Sequence, residues 1–163
     1  MTVASVDSVA NHAALVLEKA KYLIKKYEGL HKVKKDGLVY PYLCPAGYWT
    51  QGYGLLVEDG SAPPITVEVA DARLSERLVY YVLAALRLSP VLAGHPSKLA
   101  AITSFIFNLG EGRYKSSSLR RLINDERWEE AAQQFPKWVW GGGKKLPGLI
   151  RRRAEERAVF MED

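Results

Sequence analysis

The sequence predicts an α+β fold in which one small antiparallel sheet is inserted among helices. Apolar residues recur at three- and four-residue steps before position 28 and again after position 66, which is the period of amphipathic helices. Residues 30–57 are instead rich in glycine and aromatic side chains, a composition typical of tight hairpins. Because the chain has 163 residues, it is long enough to bury a sizeable core in one domain.

The first element is a helix predicted over about residues 7–27. Its apolar side chains fall on one face, whereas Glu18 and several lysines occupy the rest of the helical wheel. Ser5 or Asp7 is the predicted N-cap, since either side chain can accept a hydrogen bond from the first turn. Gly29 is the predicted end of the helix.

The next region, residues 29–60, is predicted to form a sheet lobe. Asp36-Gly37 lies between apolar flanks and is a strong hairpin signal. Gly52 and Gly54 permit a second turn or a close approach of the backbone. We therefore expect a small twisted antiparallel sheet between the first helix and the second.

The helical lobe is predicted over residues 66–163, to which the N-terminal helix adds. Thr66 is the expected N-cap of a helix that runs to about Leu88. The later helices are predicted over Pro96 to Leu109, about Ser117 to Asn124, about Arg127 to Phe135, and Leu149 to Phe160. Both lobes together are predicted to make one domain over residues 1–163.

The composition limits the class of protein. Apolar residues make up 48% of the chain and charged residues 25%, which excludes a disordered or fibrous protein. The net charge of +5 favours encounter with an anionic polymer or surface, and cell wall, anionic lipid and nucleic acid all satisfy that description. The sequence has no apolar run that could span a bilayer and no basic signal-peptide region, so we expect the protein to be made and kept in a cytoplasm.

Cofactor and metal motifs are absent from the sequence. It contains no phosphate-binding loop and no dinucleotide fingerprint, and its three histidines do not have the spacing of metal ligands. We therefore expect neither a cofactor nor a metal. The single cysteine, Cys44, cannot form an intramolecular disulfide, so the thiol needs another explanation.

Glu28 is the first candidate catalytic residue. It ends the predicted helix, where its negative charge faces the negative end of the helix dipole, and a partly dry cleft would favour the protonated carboxyl further. A protonated carboxyl of this kind can protonate the leaving oxygen of a glycoside. The alternative is an exposed Glu before a glycine C-cap, which is a common arrangement.

Cys44 and Thr50 are the second and third candidates, and five residues separate them. The thiol of Cys44 could face the second side of a sugar and position water or stabilise positive charge as a thiolate. It could equally be a small buried apolar residue. The hydroxyl of Thr50 could orient an attacking water, or this β-branched residue could simply suit a strand.

Glu28, together with the run from Cys44 to Gly54, resembles the active-site signature of the phage-type muramidases, glycoside hydrolase family 24. Residues 104–110 (Ser-Phe-Ile-Phe-Asn-Leu-Gly) resemble a helix end of the same family. Residues 135–153 resemble its C-terminal segment, with two tryptophans, a glycine run and two adjacent arginines. The matching segments span most of residues 20–160 and follow the order that they have in the family.

The resemblance implies a lysozyme-like fold with a cleft between its lobes. Glu28 matches the general acid, Cys44 the second-side residue and Thr50 the water-orienting hydroxyl. Asn108 matches an amide that reaches the cleft floor, where it could bind an N-acetyl group or merely cap its helix. Arg152 matches an arginine that pairs with the catalytic Glu in relatives, although it could also lie on a solvated face of a basic helix.

The implied reaction is hydrolysis of the β-1,4 bond between N-acetylmuramic acid and N-acetylglucosamine in peptidoglycan, by direct attack of water. The implied setting is a monomeric phage or prophage endolysin, held in the host cytoplasm until a holin opens the inner membrane and then acting on the cell wall. Neither nucleic acid binding nor stable membrane insertion is expected. The alternative is a catalytically silent module on the same fold that binds glycan or an anionic surface.

The sequence departs from the family pattern at three places. Residues 31–42 contain an extension of the hairpin, because more residues separate Glu28 from Cys44 than is usual. Leu55 stands where relatives usually carry His. Ala154-Glu155 reverses the common order of these two residues after the double arginine.

Overall fold

The computed structural model describes residues 5–163, and it confirms the predicted α+β class. Seven α-helices and two small antiparallel sheets are present in this range. The helices are α1 (Val6–Glu28), α2 (Val67–Leu88), α3 (Pro96–Leu109), α4 (Glu111–Lys115), α5 (Ser118–Asn124), α6 (Trp128–Ala132) and α7 (Pro147–Phe160). The strands are β1 (Tyr42–Leu43), β2 (Trp49–Gln51), β3 (Leu55–Leu56), β4 (Trp140–Gly141) and β5 (Lys144–Lys145). Within residues 5–163, no helix is both long and apolar enough to cross a membrane.

Helix α1 begins and ends where its capping residues predict. The Ser8 N–H donates to Ser5 Oγ at 3.2 Å, so Ser5 is the N-cap that the first turn uses. Glu28 is the last helical residue. Gly29 follows with φ +66° and its N–H donates to Lys25 O at 3.0 Å, which closes the helix in a left-handed conformation that glycine adopts without steric cost.

The chain divides into two compact units, and their boundaries fall inside helices. One unit is Ile24–Arg77, which takes the end of α1, the three-stranded sheet and the start of α2. The other unit combines the chain up to Leu23 with Leu78–Asp163. The boundaries of the predicted lobes were placed in or next to loops instead. Loop composition is visible in a sequence, whereas the division of a helix between two packing units is not.

The three-stranded sheet of the unit Ile24–Arg77 has the order β1-β2-β3. Tyr42 lies opposite Thr50, and Gln51 lies opposite Leu55. The buried Gln51 side chain donates to Val39 O at 3.0 Å and to Pro63 O at 2.9 Å, which ties the central strand to the loops on both sides. Cross-strand neighbours of this kind share one face of a sheet, so the register places Tyr42 beside Thr50.

The extension over residues 31–42 forms a hairpin, as its Asp-Gly pair predicts. Val33 and Val39 form an antiparallel bridge, and Gly37 at the tip has φ +78°. Asp36 holds the tip, because its carboxylate accepts from Leu38 N–H at 2.9 Å and from the Tyr40 hydroxyl at 2.6 Å. Regular strands begin only at Tyr42, later than the sheet predicted from residue 30.

The second unit is organised around α3. Ten consecutive residues of this helix, Ser97 to Ile106, are buried. Phe105 makes edge-to-face ring contacts with Tyr114, Phe135 and Trp138 at 6.1, 6.0 and 5.4 Å between centroids. These contacts are the aromatic centre of the core, which explains why the α3 sequence lacks a polar face.

The helix predictions for this unit are largely confirmed. The bounds of α3 agree with the prediction, and α5 starts after a cap in which Ser117 Oγ accepts from Arg120 N–H at 3.0 Å. Helix α6 is shorter than predicted, since a 3₁₀ turn at Phe135–Lys137 replaces its last part. Helix α4 and the β4–β5 hairpin were not predicted, and the hairpin turns through Gly142 and Gly143 with φ of +57° and +77°.

Candidate active site

The predicted acid, Glu28, lies half-buried at the C-terminal end of α1. The turn between β2 and β3 approaches its carboxylate closely. Gly54 has φ +79°, and a Cβ built at Gly54 would stand 3.9 Å from Glu28 Oε2. The predicted close approach at the Gly52-to-Gly54 turn is therefore confirmed, and it brings backbone rather than a side chain beside the carboxylate.

Cys44 opens a tight turn directly after β1. Gly47 N–H donates to Cys44 O at 2.8 Å, and Cys44 N–H donates to Tyr48 O at 2.9 Å. The thiol is partly exposed, so it is not the buried packing residue that was one of its two interpretations. Hydrogen bonds from the backbone N–H of Tyr48 and Ala46 and from the Thr50 side chain lower the pKa of the thiol and favour the thiolate.

Thr50 is buried in the central strand, with 4% of its surface exposed. Its hydroxyl donates to Tyr48 O at 3.0 Å, and it also lies within hydrogen-bonding reach of the Cys44 thiol. A hydroxyl carries one proton and can serve only one of these acceptors at a time. Thr50 therefore forms a coupled pair with Cys44, and the orientation of a water by this hydroxyl stays a prediction.

Two aromatic residues, His31 and Tyr42, adjoin these candidates although the sequence did not single them out. His31 Nε2 lies 2.8 Å from the backbone oxygen of Glu28. The pKa of Tyr42 is raised, first by burial and then by the negative charges of Glu28 and Cys44. The negative charges of both candidate groups therefore act on Tyr42. All of these residues belong to the unit Ile24–Arg77.

The two predicted substrate-binding residues, Asn108 and Arg152, lie in the other unit. Arg152 is 3% exposed, and its guanidinium donates to Glu156 Oε1 at 3.2 Å and to Ser104 Oγ at 3.3 Å. Asn108 Oδ1 accepts from Arg153 Nη2 at 2.8 Å. The interpretation of Arg152 as part of a solvated basic face is wrong, because helix α7 turns this arginine into the protein.

Glu156 is the centre of this buried charged cluster. It is 0% exposed and accepts from Arg152, from Arg153 and from the Ser104 hydroxyl, the last at 2.7 Å. Burial raises the pKa of Glu156, although the two guanidinium groups and the hydroxyl oppose that change. Burial also disfavours the charged form of Arg153 and so lowers its pKa. The Arg153 guanidinium stands 5.1 Å from the centre of the Phe105 ring. The spacing of Glu156 three and four residues after the arginines is a signal that could have predicted this cluster.

The two tryptophans of the C-terminal segment have different environments. Trp138 packs edge-to-face on Phe105, which agrees with the core interpretation. Trp140 is 57% exposed and Lys145 Nζ lies 5.5 Å from its ring centre. Among the residues that the structure describes, no three His, Cys, Asp or Glu side chains are grouped so that they could hold a metal ion.

A sequence model of the phage lysozyme family matches residues 25–156, which include every candidate residue named above. An endolysin of Acyrthosiphon pisum secondary endosymbiont phage 1 is 36% identical over 89% of this chain and 97% of its own length. The chain belongs to the phage lysozyme family. The resemblance that the motifs indicated is therefore confirmed.

Further relatives support the family and its fold. An endolysin of Bacillus phage PZA is 34% identical over 85% of this chain, and the chain spans 52% of that protein's length. The muramidase domain of SpmX from Asticaccaulis excentricus is 32% identical, with a TM-score of 0.73, and the match covers 88% of this chain and 95% of that domain. The predicted lysozyme-like fold is thus confirmed as well.

Proposed function

We propose that this phage lysozyme is an endolysin that hydrolyses the β-1,4 bond between N-acetylmuramic acid and N-acetylglucosamine. Hydrolysis of peptidoglycan follows from the family, whose members here include endolysins and a muramidase domain. The bond that is cleaved and the roles of single residues are the proposal. The observation that carries it is that one compact unit holds a half-buried carboxyl next to a glycine turn and a partly exposed thiol within hydrogen-bonding reach of a hydroxyl.

In the proposed mechanism, the protonated Glu28 carboxyl donates its proton to the glycosidic oxygen as the bond to the anomeric carbon breaks. Positive charge develops on that sugar, and the Cys44 thiolate stabilises it from the second side. A water molecule, oriented by the Thr50 hydroxyl, adds its oxygen to the anomeric carbon. The proton released by the water returns to the Glu28 carboxylate through solvent, so the enzyme is restored.

Two measurements test the proposal: the turnover of two isosteric variants and the reducing ends that the wild-type protein releases. Glu28→Gln keeps the shape of the side chain but removes the transferable proton, so turnover of purified peptidoglycan should fall by about 10² or more. Glu58→Gln is the matched control, because Glu58 is an exposed carboxylate in the same unit. The reducing ends that the wild-type protein releases should be muramic acid.

Two outcomes would overturn the proposal. Full turnover by Glu28→Gln would show that Glu28 is not the general acid. Glucosamine reducing ends would show that a different bond is cleaved. If the wild-type protein binds peptidoglycan without releasing any reducing ends, the silent binding module is the correct alternative.

We also propose that the protein is a monomer that reaches the wall only after a holin opens the inner membrane. The proposal is supported by the family's endolysins and by the described helices, none of which could cross a membrane. Cells that express the protein alone should stay intact and should lyse when the inner membrane is permeabilised. Lysis without permeabilisation would contradict this dependence.

A further inference from the structure

The extension over residues 31–42 ends in two aromatic side chains that meet. His31 stands at its start, three residues after Glu28, and Tyr42 stands at its end, in β1. Their ring centroids are 5.2 Å apart, with 56° between the ring planes. The extension therefore closes at its base, immediately beside the end of the helix that carries the acid.

His31 binds the backbone that presents Glu28. Its Nε2 lies 2.8 Å from the Glu28 carbonyl oxygen, and because a carbonyl only accepts, the nitrogen must donate. The last carbonyls of a helix lack an intrahelical partner, so this hydrogen bond satisfies one of them. The neutral imidazole must then carry its proton on Nε2. The bond fixes the helix end from which the Glu28 side chain projects.

Tyr42 connects His31 to the other two candidate residues. It lies directly opposite Thr50 in the β1–β2 register, so the two side chains share a face of the sheet. Cys44 follows two residues later and is coupled to Thr50. A continuous series of neighbours therefore runs from the Glu28 carbonyl through the contacting His31 and Tyr42 rings to Thr50, which pairs with Tyr42 in the register, and to Cys44.

We propose that His31 and Tyr42 are positioning residues, which hold the Glu28 acid and the Thr50–Cys44 pair in a fixed relation. Neither residue exchanges a proton with the substrate. The inference rests on the proposed function, since it requires Glu28 to be the general acid. It predicts that their loss lowers kcat and leaves KM unchanged, because misplaced catalytic groups weaken the chemical step rather than binding.

The first test separates the hydrogen bond from the ring contact. His31→Phe keeps an aromatic ring against Tyr42 and removes the donor, so kcat should fall about 3- to 10-fold, the range that one hydrogen bond is worth. His31→Gln keeps an N–H donor and should recover part of that loss. Tyr42→Leu removes the ring and should lower kcat by a similar factor, whereas Tyr42→Phe should retain more activity than Tyr42→Leu. His95→Phe is the control, because His95 also contacts an aromatic ring, that of Trp128 at 4.8 Å, but belongs to the other unit.

The second test detects the hydrogen bond of His31 by a measurement that does not depend on activity. The protein has three histidines, so a long-range ¹H–¹⁵N spectrum resolves each ring. In its neutral form, the His31 ring should show the pattern of the Nε2–H tautomer, and Glu28→Gln should preserve that pattern because the acceptor is the backbone. A His31 ring protonated on Nδ1 would overturn the proposal.

The failures of the two proposals are distinguishable. Thermal midpoints of all variants are compared first, so that a change in kcat is assigned only to folded protein. If Glu28→Gln retains full turnover, the acid assignment and therefore the positioning role both fail. If Glu28→Gln is inactive while His31→Phe and Tyr42→Leu keep wild-type kcat, only the positioning role fails.

Discussion

Two carboxylates in this protein occupy opposite environments. Glu28 is half-buried at the end of α1, where Gly54 approaches its carboxylate and His31 contacts its backbone carbonyl. Glu156 is 0% exposed and lies between two arginines that are also buried. The first is partly exposed, and the second is enclosed by its partners. We therefore expect substitution of Glu28 to affect chiefly activity and substitution of Glu156 to affect chiefly stability.

The two units also differ in net charge. Residues 24–77 contain seven Lys or Arg and seven Asp or Glu, so the whole net charge of +5 belongs to the rest of the chain. Part of that positive charge is not on the surface, because Arg152 and Arg153 are buried. A basic surface on α7 is therefore smaller than the run of three arginines at 151–153 indicates.

The largest expected effect is on stability, from Glu156→Gln. This change removes the buried carboxylate charge to which both guanidinium groups donate, and it should reduce the free energy of unfolding by about 3–5 kcal/mol. Glu129→Gln is the control, because Glu129 is an exposed carboxylate in the same unit. Denaturant unfolding measures both variants. A loss below about 1 kcal/mol would show that the Glu156 charge contributes little to stability, and the contrast with Glu28 would disappear.

The next effect is on activity, from Cys44→Ser. The substitution preserves a small polar side chain but replaces a thiolate-forming group with a neutral hydroxyl, so turnover should fall by about tenfold or more. The thermal midpoint should change little, because Cys44 is partly exposed. Rates and midpoints are measured on the same preparation. A large fall in the midpoint with normal turnover would show that Cys44 contributes to stability and not to catalysis.

The smallest effect is a pH-dependent one at the start of α3. Burial alone would raise the pKa of Asp163, but hydrogen bonds from Ser97 N–H, at 2.6 Å, and from Lys98 outweigh it and hold the pKa below the ordinary value of 3.8. A lowered pKa in the folded state stabilises the protein above the ordinary value, and the contribution is lost as the pH falls through the folded value. Asp163→Asn should therefore cost about 1 kcal/mol at pH 7 and almost nothing in strong acid.

Thermal midpoints of the wild type and Asp163→Asn across that pH range check this prediction. The two curves should converge at low pH. Curves that stay parallel would show that the carboxylate charge of Asp163 contributes nothing to the contact with α3.

The sequence by itself determined the local structure. Ser5, Gly29 and Thr66 define helix ends through bonds to their own neighbours, and the Asp36-Gly37 pair defines a turn within four residues, so each is visible from spacing alone. The family was also predictable, because its motifs keep their order along the chain.

Only the tertiary structure decided which side chains meet across long separations. Nothing local shows that Arg152 and Arg153 point inward, because burial of α7 depends on α3, about fifty residues earlier in the chain. The meeting of His31 with Tyr42 likewise depends on the hairpin closing between them. Local hydrogen bonds follow from neighbouring residues, whereas burial and ring contacts depend on the packing of whole elements. The buried charged cluster around Glu156 and the ring contact of His31 with Tyr42 therefore could not be predicted from the sequence.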